Sequence, residues 1–81
     1  MPWYSFTPIP PSCDPNNPNN WTLVGPIPPP CPPPNNFLCA IQASDNMGKP
    51  IITVALSAEI AFALQNHVDT TNVLLFNVNR C

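Results

Sequence analysis

Nine consecutive positions, Pro26-Ile27-Pro28-Pro29-Pro30-Cys31-Pro32-Pro33-Pro34, hold seven of the chain's 14 prolines, and no other stretch restricts the fold as strongly. Proline fixes its own φ, removes a backbone donor and pushes the preceding residue to extended geometry. The run is therefore expected as a polyproline II rod of roughly 28 Å, at about 3.1 Å per residue. A segment with so few donors serves as a spacer or docks on a surface. Its P-x-x-P spacing superficially suits an SH3-type groove, but such ligands generally carry a flanking Arg or Lys. None occurs between Met1 and Gly48. Rigid packing against aromatics, its own or a neighbour's, is the expected role.

With 81 residues there is room for one domain, and one this small buries too little apolar surface without covalent staples. Cys13, Cys31, Cys39 and Cys81 are the expected staples, as disulfides. Their separations of 18, 8 and 42 residues contain no C-x-x-C pair, which speaks against a zinc or thioredoxin-like site. No metal or other cofactor is expected. Buried reduced thiols are the bland alternative. Disulfides imply an oxidising compartment and hence an extracellular or cell-surface location. The expected pairs are Cys13–Cys31, closing a turn-rich excursion, and Cys39–Cys81, tying the C-terminus to a core strand.

Two cations and four carboxylates make up the charge. Phosphate neutralisation needs several basic groups on one face, so nucleic acid is not an expected partner. Anionic membrane surfaces are disfavoured for the same reason. With 44% apolar and 7% charged residues, little keeps separate copies apart, and the partner expected is the chain itself, in a homopolymer. Met1-Pro2-Trp3-Tyr4 has neither a basic n-region nor an apolar h-region, so a secreted form is expected to have lost its leader. Ser57 and Glu59 interrupt the longest apolar stretch, and no membrane span is expected.

The chain divides into a Pro/Asn-rich part, 1–36, expected to be an extended arm and loop, and a core at 37–81, within one structural domain overall. Trp3-Tyr4-Ser5-Phe6-Thr7-Pro8-Ile9 places three aromatics in four residues, an arm that must dock on something apolar. Cys13 to Asn20 is a string of turn formers. Trp21-Thr22-Leu23-Val24 reads as a short strand. Phe37 to Ala43 is a second, followed by a turn at Asp45 to Pro50. Ile51-Ile52-Thr53-Val54-Ala55-Leu56 has the β-branched content of a third. Ser57 is then the expected N-cap of a helix from about Ala58 to His67 or Val68, with Glu59 in its first turn. Val73 to Val78 closes as a strand. The expected fold is a small disulfide-stabilised α+β domain, a short, mainly antiparallel sheet with one helix, preceded by the proline-rich extended segment. Ala58, Phe62 and Ala63 stand where a surface helix carries charges, so the helix is expected to be covered on a second side, by the aromatic arm or by another copy.

His67 is the sole histidine, and beside a helix C-terminus it serves first as a dipole partner. Asp69 is first a turn residue. With no nucleophile and orienting group beside them, no catalytic residue is assigned and an enzyme is not expected. Two glycan acceptors are candidates. Asn20-Trp21-Thr22 is an N-x-[ST] sequon, and Asp69-Thr70-Thr71 resembles the D-[ST]-x acceptors of bacterial O-glycosylation, with a turn hydroxyl the plainer role for Thr70.

Cys39-Ala40-Ile41-Gln42-Ala43, then Gly48-x-Pro50-x-Ile52-Thr53 and the alternating aliphatics, resemble a group of short, uncharacterised secreted proteins of Bacteroidota over residues 37–78. The resemblance implies secretion and a paired-cysteine fold, and carries no catalytic residue. The function expected is a secreted structural subunit that self-assembles into an extracellular filament or surface layer. Trp3, Tyr4, Phe6, Ile9 and Phe62 are its candidate assembly contacts, the arm adding as a strand to a neighbour. On that expectation, removing residues 1–9 leaves a folded core that no longer polymerises. The alternative is a monomeric secreted binding module or small effector that uses its proline-rich loop.

Overall fold

The computed structural model describes residues 1–9, 13–77 and 79. In chain order the elements are β1 (Trp3–Phe6), β2 (Trp21–Gly25), β3 (Phe37–Gln42), β4 (Asp45–Asn46), β5 (Lys49–Pro50), α1 (Val54–Asn66) and β6 (Val73–Phe76). Four strands form one sheet in the order β2-β1-β3-β6, with every pairing antiparallel, and β4 and β5 form a separate two-stranded ribbon. This is the small α+β fold with a single helix that the periodicity predicts.

Alternation along the strands gives the sheet two apolar faces. Tyr4, Phe6, Trp21, Leu38, Ile41, Val73 and Leu75 meet Leu56, Ile60 and Ala63 of α1 on one side. Trp3, Cys39, Ala40 and Phe76 gather on the other, with Cys31 and Leu74 packed against them. The β3–β6 register shifts between Leu38 and Ala40. The extra residue of that bulge is Cys39, which therefore shares a face with its neighbour Ala40 instead of alternating with it.

The expectation of an irregular first half is corrected here. The aromatic arm is a strand of the chain's own sheet, hydrogen-bonded between β2 and β3. Tyr4 and Trp21 are fully buried, and the Phe6 and Trp21 rings lie 4.8 Å apart, tilted at 49°. The core thus draws on both sides of residue 36, because three large aromatics bury more apolar area in the sheet than the short β3–β6 pair alone could offer α1.

The expected strand at Ile51 to Leu56 is also corrected. Thr53 is the N-cap, extended at φ −76° and ψ 167°, and its hydroxyl accepts the Leu56 N–H at 3.1 Å. The helix therefore starts at Val54, Ser57 and Glu59 lie inside it, and Leu56, Ile60 and Ala63 form its buried stripe. Burying such side chains is worth about 1.5–3 kcal/mol each for the larger ones, more than the ~1 kcal/mol span of strand propensities. His67, left-handed at φ 53°, closes the helix by donating its N–H to the Ala63 carbonyl. Between β4 and β5, Met47 (φ 54°) and Gly48 (φ 86°) make the two-residue turn with both φ positive that a tight hairpin favours. The last strand ends at Phe76, and Val78 lies outside the described residues.

The proline run lies on the sheet face opposite α1. It bends at Pro26-Ile27 and again at Pro33, so the straight part is shorter than the nine-residue rod expected. Between those bends, Cys31 is bonded to Cys39 with a Cα–Cα distance of 6.1 Å, which fastens the middle of the run to the β3 bulge. That bond excludes both expected pairs, Cys13–Cys31 and Cys39–Cys81. Eight residues suffice for the chain to turn back, and the bulge presents Cys39 to the run. Cys13 is disulfide-bonded too, and Cys81 lies outside the described residues.

Candidate functional site

Of the five candidate assembly contacts, three are inside the molecule. Trp3, Tyr4 and Phe6 are buried in the sheet, whereas Ile9 and Phe62 are 62% and 56% exposed. Tyr4 is fixed by its hydroxyl, which donates to Asp45 Oδ1 at 2.6 Å. Burial, that hydrogen bond and the Asp45 charge together push its pKa up to about 12.

Phe62 belongs to an outward face of α1 with an unusual composition. Val54, Ala55, Ala58, Ala61, Phe62 and Gln65 are exposed, and Val54 is 89% so. Thus the helix is buried on one side only, and the expected second cover is not part of this chain's described residues. A groove of about 430 Å³ runs along this face, bounded by Ile52, Val54, Ala58, Ala61 and, across from the helix, Asn16. A second apolar surface lies on the outer strand of the sheet, where Leu23 and Val24 of β2 are each 45% exposed.

The four Asp and Glu side chains all accept hydrogen bonds from their own chain. Asp14 Oδ1 accepts the Asn16 N–H at 2.9 Å, Asp45 Oδ1 accepts the Gly48 N–H as well as Tyr4, and Asp69 Oδ1 accepts the Leu75 N–H at 2.8 Å. Glu59 takes three donors: the Thr70 hydroxyl, the Asn72 N–H at 2.8 Å and Asn72 Nδ2 at 3.2 Å. Its burial favours the neutral acid, but the hydrogen bonds outweigh that and hold the carboxyl below its ordinary range. Lys49 Nζ donates to the Trp21 carbonyl at 3.4 Å, on the edge strand.

Both candidate glycan acceptors have structural work. Asn20 is 1% exposed; its Oδ1 accepts the Ile9 N–H at 3.2 Å and its Nδ2 donates to the Asp14 carbonyl at 2.9 Å. A glycan there is incompatible with this fold. The half-buried Thr70 gives its hydroxyl to Glu59. His67 is exposed at the helix end. Among the described residues no group of three or more His, Cys, Asp or Glu side chains is placed to hold a metal, and no described helix is long and apolar enough to cross a membrane.

Sequence reading missed the Glu59 cluster because it placed Glu59 in the first helical turn as a dipole partner. The available signal was the polar Asp69-Thr70-Thr71-Asn72 stretch, whose donors must end somewhere when the turn folds against the helix. No family model, curated protein or solved structure matches this chain.

Proposed function

We propose that the chain is a secreted structural subunit whose copies assemble into an extracellular filament or surface layer. The observation that carries this reading is the pairing of an exposed, uncharged helix face at Val54, Ala58, Ala61 and Phe62 with carboxylates that all accept hydrogen bonds from their own chain. An apolar patch with no charge on it marks an interaction site. A second patch at Leu23 and Val24 lies on a different side, at the sheet edge. Two unlike surfaces permit a head-to-tail contact, which can propagate without closing. The disulfides at Cys31–Cys39 and Cys13 suit an oxidising location.

The connector differs from the arm expected at first. β1 is already paired on both sides within its own sheet, so the role passes to the exposed surfaces. The test is Phe62→Asp, which places a charge at an exposed position without touching the core. Light scattering at micromolar concentration should show large particles for the wild-type chain and a shift toward single chains for the variant. Equal particle sizes would remove the helix face from the assembly.

A second reading has one observation behind it. Pro28, Pro30, Pro32, Pro33 and Pro34 are exposed, with Ile27 74% exposed beside them, a surface of the kind that aromatic grooves recognise. A stable particle of one chain's mass would favour this binding-module reading.

A further inference from the structure

The two edges of the main sheet are finished differently. On β2, Thr22, Leu23 and Val24 are exposed, and the Trp21 carbonyl accepts Lys49 Nζ, the end of a flexible side chain, at 3.4 Å. On β6 the outer side is occupied by the turn that precedes it: Leu75 N–H donates to Asp69 Oδ1 at 2.8 Å, and Thr70 N–H donates to the Val73 carbonyl at 2.9 Å. An edge strand with open donors and acceptors is a template for another chain. Here a donor and an acceptor of that edge are bonded to the turn.

The turn has little apolar anchorage. Asp69 and Thr71 are exposed, Thr70 and Asn72 half-buried. What fixes it is Glu59 of α1, which receives the Thr70 hydroxyl and both the N–H and the Nδ2 of Asn72. At its far end the turn is joined to β3, where Gln42 N–H donates to the Asn72 carbonyl at 2.8 Å, so Asn72 is the point about which Asp69 to Thr71 can turn.

We infer that the Asp69–Asn72 turn is a guard over the outer edge of β6, latched by Glu59, which keeps a strand of a second copy off that edge and opens when Glu59 is protonated. Its partner, a second copy, rests on the self-association proposed above. All three groups facing the carboxylate are donors, so a proton on it replaces an acceptor with a fourth donor. The other titratable groups on the packed elements are Asp69 in the turn, His67 at the end of α1 and the amino terminus of Met1, whose residue shares a cavity of about 130 Å³ with Glu59 and Asn72. β3 and β6 contribute none. Because the hydrogen bonds hold the Glu59 carboxyl below its ordinary range, the latch is closed at neutral pH and opens only in acid, below the ordinary carboxylate range.

Glu59→Gln imitates the protonated state at neutral pH, and Thr70→Val removes one latch bond by a second route. Amide exchange followed by NMR should show Leu75 and Asn72 about tenfold faster in E59Q, with a smaller effect in T70V. Ile41 and Ile60 should keep wild-type rates. Sedimentation at matched concentration should show E59Q more associated than wild type. Unchanged exchange at Leu75 and Asn72 in both variants would overturn the guard. A rise that includes Ile41 and Ile60 would overturn it too, since Glu59 would then support the whole fold. Local opening without added association would overturn the edge's role. A wild-type chain that stays single while E59Q opens locally and associates would support the guard and contradict the proposed function.

Discussion

At Tyr4 a buried hydroxyl and a carboxylate meet, and the consequence is a stability that depends on alkaline pH. Its folded pKa, pushed up to about 12 by burial, by the bond to Asp45 and by the Asp45 charge, exceeds the unfolded value near 10. The folded state therefore holds the phenol proton more tightly. That contribution is fully present below about pH 10 and is lost as pH rises from there toward the folded value. Tyr4→Phe should flatten this limb and cost about 1–2 kcal/mol at neutral pH, as a charge-assisted bond disappears; urea unfolding at several pH values measures both. An unchanged alkaline limb would remove Tyr4 as its source. At this scale the sequence was only partly legible. That Tyr4 would be buried follows from its aromatic surroundings, but its partner lies 41 positions away. Asn20 reads as an exposed sequon because the motif is local, whereas its burial depends on Ile9 and Asp14 bonding to it across the loop.

Among the elements, the strands with clear alternation were legible and the helix start was not. Val73 to Phe76 and Phe37 to Gln42 alternate or run apolar between turn formers, and both are strands. Ile51 to Val54 has the same β-branched content, but sheet formation needs a partner strand, and after Pro50 the buried stripe of Leu56, Ile60 and Ala63 dictates a helix. Two cap variants separate the possibilities. Thr53→Ala should lower stability by about 1 kcal/mol, while Ser57→Ala, inside the helix, should stay within about 0.5 kcal/mol. Thermal unfolding that reverses this order would restore Ser57 as the cap. The arm has a sharper consequence. Deleting residues 1–9 removes a strand paired on both sides together with Tyr4 and Phe6, and losses of about 3–5 kcal/mol per large aromatic are comparable with a small domain's whole stability. The truncated chain should lack a cooperative transition by circular dichroism. A folded truncated core would return the arm to the role of a detachable connector.

The whole molecule is layered, with α1 on one face of a four-stranded sheet and the proline run fastened by Cys31–Cys39 to the other. The presence of cystines was legible from the even count and the size of the chain. The pairing was not, because the bulge that turns Cys39 toward Cys31 depends on the β3–β6 register. Assembly belongs to this scale as well. The described core leaves Val54, Ala58, Ala61 and Phe62 uncovered, and the Asp14, Asp45, Glu59 and Asp69 carboxylates each accept hydrogen bonds from their own chain. Electron microscopy of the oxidised chain, taken from micromolar to millimolar concentration at neutral pH, tests the structural-subunit reading most directly. Filaments or sheets with a regular repeat of one small subunit are the expected result. Uniformly dispersed particles of single-chain size across the whole range would contradict it.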